Sequence, residues 1–146
     1  YTVQRTGSDT GITVQERINI TIQNALTKGF GVGIALYSSD RCTLSGNRLE
    51  GNSSGPGIAV HDSDYNKLLN NTLLNNVHSI HLAQSSNNII DGNNASYIRD
   101  VGITFENYSH NNTVTNKQSY TVATDLTNLP FPFSEDHRID SEFWKC

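Results

Sequence analysis

Residues 57–76 read GIAVHDSDYNKLLNNTLLNN, and the fold turns on whether that pattern is unique or repeated. Ile58 and Val60 alternate as the buried side of a short strand does; His61, Asp62 and paired asparagines then interrupt. The same alternating tetrad recurs as GITV at 11–14, GIAL at 33–36, SIHL at 79–82 and GITF at 102–105, at intervals of 22 to 24 residues. Asn24, Asn47, Asn71, Asn93 and Asn116 keep step with it. Before each of these lies a second short apolar segment: INITI at 18–22, CTL at 42–44, KLL at 67–69, NNII at 87–90 and NNTV at 111–114. A period of this length is the mark of a solenoid.

A unit of about two dozen residues with short strands cannot close a core alone, but stacked units can. The expected fold is therefore all-β, a right-handed parallel β-helix of about five to six coils over residues 1–122. Residues 123–146 would form a C-terminal cap or interaction arm. Equivalent side chains should superpose, Ile12, Ile34, Ile58, Ile80 and Ile103 in one inward ladder and Val14, Leu36, Val60, Leu82 and Phe105 in the next. The asparagine column should sit at a corner, where Asn accepts a left-handed backbone and its amide bonds the coil above.

Composition agrees with this reading and excludes others. The chain of 146 residues holds 18 Asn and 29 Ser plus Thr, with only 16% charged residues and a net charge of −4. No basic run offers a surface for a phosphate backbone, so nucleic acid is not an expected partner. No stretch approaches the roughly 20 apolar residues of a membrane span. The chain lacks Met and begins with Tyr1, as expected of a processed protein or an excised piece. Cys42 and Cys146 are disulfide candidates, with a link to another chain and two free thiols as the open alternatives.

Units of the form GIxVxxSxxNxLxxNxxxxN over residues 11–122 resemble the parallel β-helix repeats of the pectin-lyase-like superfamily. The likeness is to the periplasmic copper-binding proteins of nitrous-oxide-reductase maturation and to the C-terminal coils of mannuronan C5-epimerases. The resemblance implies a β-helix, and it implies function only through the site residues. The epimerase motif of Tyr-Gly-x-Asp-Pro-His type is absent; His61 and Asp62 are a fragment of it. Clusters of Asp suited to calcium are absent as well.

Strand alternation places Tyr37, His61, Ala83 and Glu106 in one outward column and His81 beside Ala35 and Ala59 in the adjacent one. Tyr37, His61, His81 and Glu106 are thus the candidate catalytic or sugar-binding residues: a ring to stack on a pyranose, and imidazole and carboxylate groups to move a proton. Uronate chemistry would also need a cation; only Arg41 and Lys67 lie near, and both are expected to fall in turns or on the next sheet. His78 and His81 are expected to lie across a turn and a strand without sharing a face. No metal site and no cofactor are expected. Six Asn-x-Ser/Thr sequons, at Asn19, Asn52, Asn70, Asn94, Asn107 and Asn111, are glycosylation candidates, with Asn52 in the GNSSGPG turn expected to be the most exposed.

The leading functional expectation is a secreted or cell-surface structural or adhesive protein, glycosylated, associating with itself end to end or through the C-terminal arm. The periplasm is the alternative location. Two other readings stay open: a polysaccharide-modifying epimerase or lyase, or a fragment of one, and a non-catalytic carbohydrate-binding module.

Overall fold

The computed structural model describes residues 2–4, 9–52, 54–116, 122–124 and 138–139. These form about five turns of a parallel β-solenoid, with no helix among them. One six-stranded sheet takes β2 (Thr10–Gln15), β5 (Val32–Tyr37), β8 (Ile58–His61), β11 (Ile80–Ala83), β14 (Ile103–Glu106) and β16 (Val122–Thr124). A second takes β3 (Thr21–Gln23), β6 (Thr43–Ser45), β9 (Lys67–Leu69), β12 (Ile89–Asp91), β15 (Thr113–Thr115) and β17 (Arg138–Ile139). The third has five strands: β1 (Thr2–Gln4), β4 (Leu26–Lys28), β7 (Arg48–Glu50), β10 (Thr72–Leu74) and β13 (Asn94–Ser96). All pairings are parallel, between successive coils.

Register follows the hydrophobic pattern. In the first sheet Ile12 pairs with Ile34, Ile34 with Ile58, Ile58 with Ile80 and Ile80 with Ile103. Val14, Leu36, Val60, Leu82 and Phe105 form the neighbouring ladder. A slip of one residue would turn every one of these side chains outward, so burial fixes the pairing. Leu44, Leu68, Ile90 and Val114 of the second sheet and Leu49, Leu73 and Ala95 of the third complete the core. Each fully buried Leu or Ile contributes about 1.5–3 kcal/mol of burial energy.

The third strand of each coil has no counterpart in the sequence reading, which found two. Its strands are three residues long with a single inward side chain, Leu49, Leu73 or Ala95, so no alternation announces them. Two short stretches of the proposed cap segment, 123–124 in β16 and 138–139 in β17, extend the first two sheets. The remainder of that segment, with Cys146, lies outside the described residues.

Four corners per coil follow one rule. A left-handed residue turns the chain, and where the next residue is Ser or Asn its buried side chain bonds the adjacent coil; Arg17 is exposed at that position, and Ala25 and Phe30 fill it with apolar groups. Every left-handed residue of the described chain belongs to one of these corners. At the third corner Asn24, Gly46, Asn70, Gly92 and Asn116 have φ between 48° and 64°. The buried residues that follow are Ala25, Asn47, Asn71 and Asn93. The expected single column is therefore two: Asn24 and Asn116 supply backbone conformation, whereas Asn47, Asn71 and Asn93 supply the amide ladder. The second corner stacks Cys42, Asn66, Asn88 and Asn112, the fourth stacks Asn52 on Asn76, and the first uses hydroxyls of Ser39, Ser63, Ser85 and Ser109.

Candidate functional site

The first sheet's outer face carries the candidate residues because their coils are in register. Tyr37 pairs with His61, His61 with Ala83 and Ala83 with Glu106, while Ala35, Ala59, His81 and Thr104 share the neighbouring column. Ala35, Ala59 and Ala83 are buried. Solvent therefore meets the larger side chains above them.

Those side chains form a continuous line. The Tyr37 and His61 rings stack with centroids 5.4 Å apart and planes 20° apart. His61 meets His81 edge to face at 5.3 Å. His81 Nε2 lies 3.1 Å from Glu106 Oε2, close enough for an ion pair when the imidazole is protonated, yet it makes no aligned hydrogen bond. All four residues named from sequence are thus brought together over four coils.

The structure adds two residues. His78, in the bend before β11, places its ring 6.4 Å from that of His81, and its Nε2 is 3.8 Å from Asp100 Oδ2. His78 and His81 fall across a bend and a strand, as expected, yet their rings come within 6.4 Å of each other. Regular alternation could not have signalled this. His78 Nδ1 is buried without a hydrogen-bond partner.

Electrostatically the face carries several carboxylates, and its central imidazole is biased toward the neutral form. Burial pushes the pKa of His61 below its ordinary 6.5, and the nearby His81 pushes it further, against the opposing pull of Asp62 and Glu106. As expected from their places in turns and on the next sheet, neither Arg41 nor Lys67 joins the cluster. Arg41 lies over the Tyr65 ring, 5.4 Å from its centroid, at the second corner, and Lys67 belongs to β9 of the second sheet. With Asp62, Asp100 and Glu106 around the imidazoles, a uronate carboxylate would meet repulsion rather than neutralisation.

The other candidates separate by burial. Asn19, Asn70, Asn107 and Asn111 are exposed at left-handed corner positions, and Asn94 is half-buried in β13. Asn52 is fully buried, contrary to the expectation that its turn would expose it. Its Nδ2 donates to Asn76 Oδ1 at 2.7 Å, so the apparent loop residue is a rung of the fourth ladder. Cys42 is a free thiol, fully buried, with Sγ 3.4 Å from the Asp40 carbonyl oxygen.

Residues 2–117 match the model of the NosD family, described as periplasmic copper-binding protein (NosD). The match covers most of the chain, includes strands β1 to β15, and agrees with the resemblance carried by the repeats. The chain belongs to that family. No curated protein and no solved structure matches it.

Proposed function

With membership of the NosD family as the premise, we propose that this chain is a periplasmic or secreted solenoid of adhesive function, which holds neutral polysaccharide on the outer face of its first sheet without turning it over. The line from Tyr37 through His61 and His81 to Glu106 carries this reading. Stacked rings offer a platform for pyranose faces, and the carboxylate and imidazole edges offer acceptors and donors for sugar hydroxyls. The acidic surroundings and the position of Arg41 and Lys67 away from the cluster speak for binding over epimerase or lyase chemistry on uronates.

Copper is part of the family's description, and the donor chemistry of this face, imidazole with carboxylate, is of a type that copper accepts. Placement does not fit it. No three His, Cys, Asp or Glu side chains among the described residues are grouped to hold a metal ion. No step is routed through copper.

The test is affinity electrophoresis in gels containing neutral and acidic polysaccharides. Retardation of the native chain by a neutral glycan, lost in Tyr37→Ala and unaccompanied by release of reducing or unsaturated ends, is the expected result. Migration unaffected by every glycan, or product formation, overturns the proposal.

Self-association has a separate supporting observation. β2 and β3 each pair on one side only among the described strands, and Ile18 beside them is 63% exposed. A strand edge that pairs on one side only among the described residues, next to apolar surface, is a template for a second chain. Sedimentation velocity over a concentration series should then show growth beyond the monomer, reduced by Ile18→Lys.

A further inference from the structure

We infer that the folded chain accepts N-linked glycans at Asn19, Asn70 and Asn111, and that these border the second sheet while leaving the ring-bearing face of the first sheet open. The sequons number six by sequence, but the corners sort them into those that present both essential groups and those that do not.

A sequon needs its amide and the hydroxyl two residues later on the same accessible side. At the second and third corners the intervening residue points inward, which sends both neighbours out. Ile20 packs on the core between Asn19 and Thr21, and Asn71 and Asn112 are buried between Asn70 and Thr72 and between Asn111 and Thr113. Asn19, Asn70 and Asn111 are exposed, with φ of 59°, 52° and 52°. Thr21 is exposed, and Thr72 and Thr113 are half-buried.

The other three sequons each lack something. The amide of Asn52 is committed to Asn76 and fully buried. Asn107 is exposed, but its partner hydroxyl on Ser109 is buried in the serine ladder, donating to the Glu106 carbonyl at 2.7 Å and accepting from Ser85 N at 3.2 Å. Asn94 is half-buried in β13, and Ser96 Oγ is turned onto its own Asn94 Oδ1 at 3.4 Å.

Position in the coil decides what the glycans would cover. Asn19 and Asn111 are each separated by one residue from the start of a strand, β3 and β15, while Asn70 directly follows β9, so all three flank strands of the second sheet. Tyr37, His61, His81 and Glu106 lie on the first. Modification would coat one side and leave the other for a ligand. The inference stands independently of the polysaccharide reading.

The transfer forms a bond from Asn Nδ2 to the anomeric carbon of a lipid-linked oligosaccharyl phosphate. The carbon–oxygen bond to phosphate breaks, the phosphate leaves with the electron pair, and the Nδ2 proton passes to a base of the transferase. No oxidation occurs.

The folded chain, an unfolded sample and a synthetic peptide spanning residues 68–74 are each incubated with a purified oligosaccharyltransferase and its lipid-linked oligosaccharide. Enzymatic deglycosylation in heavy-oxygen water then converts each occupied Asn to labelled Asp for peptide mapping. The folded chain is expected to carry label at Asn19, Asn70 and Asn111, with Thr21→Ala, Thr72→Ala and Thr113→Ala each erasing one. Label at Asn52, Asn94 or Asn107 should appear only in the unfolded sample. An unlabelled corner in the folded chain, label at Asn52, Asn94 or Asn107 there, or a peptide that accepts nothing overturns the assignment.

Discussion

Asn93 Oδ1 accepts two hydrogen bonds from the coil before it, from the backbone N and the side-chain Nδ2 of Asn71, each at 2.9 Å. Asn71 in turn serves Asn47 in the same way, at 3.0 Å for both bonds. Its Nδ2 also reaches the Leu44 carbonyl. One buried amide thus satisfies groups on two neighbouring coils where the chain has left its strands.

That arrangement separates two adjacent asparagines. Asn71→Ala strands the Asn47 donors and should cost about 3 kcal/mol, the order expected when buried donors lose their acceptor. Asn70→Gly should change stability by less than about 0.5 kcal/mol, since Gly is at ease where φ is positive. Gly already occupies that corner at Gly46 and Gly92. Urea unfolding of the two variants checks the contrast.

Gly57 and Gly51 should respond to alanine for different reasons. A Cβ at Gly57 would stand 2.6 Å from Leu73 Cδ2 and 3.0 Å from both Asn76 Nδ2 and the Ser79 carbonyl oxygen, in the core beside the fourth ladder. Gly57→Ala should lose about 2–3 kcal/mol through overpacking. Gly51 has open space but φ of +69°, so Gly51→Ala should lose about 1 kcal/mol from backbone strain alone. Thermal unfolding of both, with the Gly57 variant melting lower, is the expected result.

His61 gives stability a pH dependence of known sign. Its folded pKa is depressed, chiefly by burial, so the unfolded chain binds the proton more readily. The contribution is whole above the unfolded value near 6.5 and is lost as pH falls through the lower, folded one. Wild type should lose urea resistance as pH falls through and below 6.5, and His61→Gln should lose less over the same interval. Equal slopes for the two proteins would contradict the assignment, which imidazole NMR titration can examine directly.

Cys42 stands where later coils have Asn66, Asn88 and Asn112. Its backbone N already donates to Asn66 Oδ1 at 2.7 Å, but a thiol is a weak acceptor for the coil before it. Cys42→Asn should extend the amide ladder by one rung and raise stability by about 1 kcal/mol. In the native protein the Cys42 thiol should resist Ellman's reagent until denaturant is added, as peptide mapping of the modified cysteine will show.

The ladders at Ile34, Ile58 and Ile80 were legible because a wrong register would put an Ile in water once per coil. The grouping of Tyr37, His61, His81 and Glu106 followed from the same register, since outward columns are fixed when inward ones are. Burial of Asn52 was not legible. GNSSGPG has the composition of an exposed turn, and only the coil above, with Asn76 in place, shows that its amide faces inward. His78 was hidden likewise, by a bend whose direction no local periodicity encodes.

The sequence by itself thus determined the period, the stacking of coils and which strand residues face the core, because hydrophobic burial acts on a repeat that can be read from one end to the other. The tertiary structure decided which asparagine of each adjacent pair turns the backbone and which holds the next coil, that His78 joins the rings, and which sequons show both their amide and their hydroxyl. Those outcomes depend on side chains about two dozen residues apart meeting across coils, where hydrogen-bond partners and solvent access are set by three-dimensional contact rather than by neighbours in the chain.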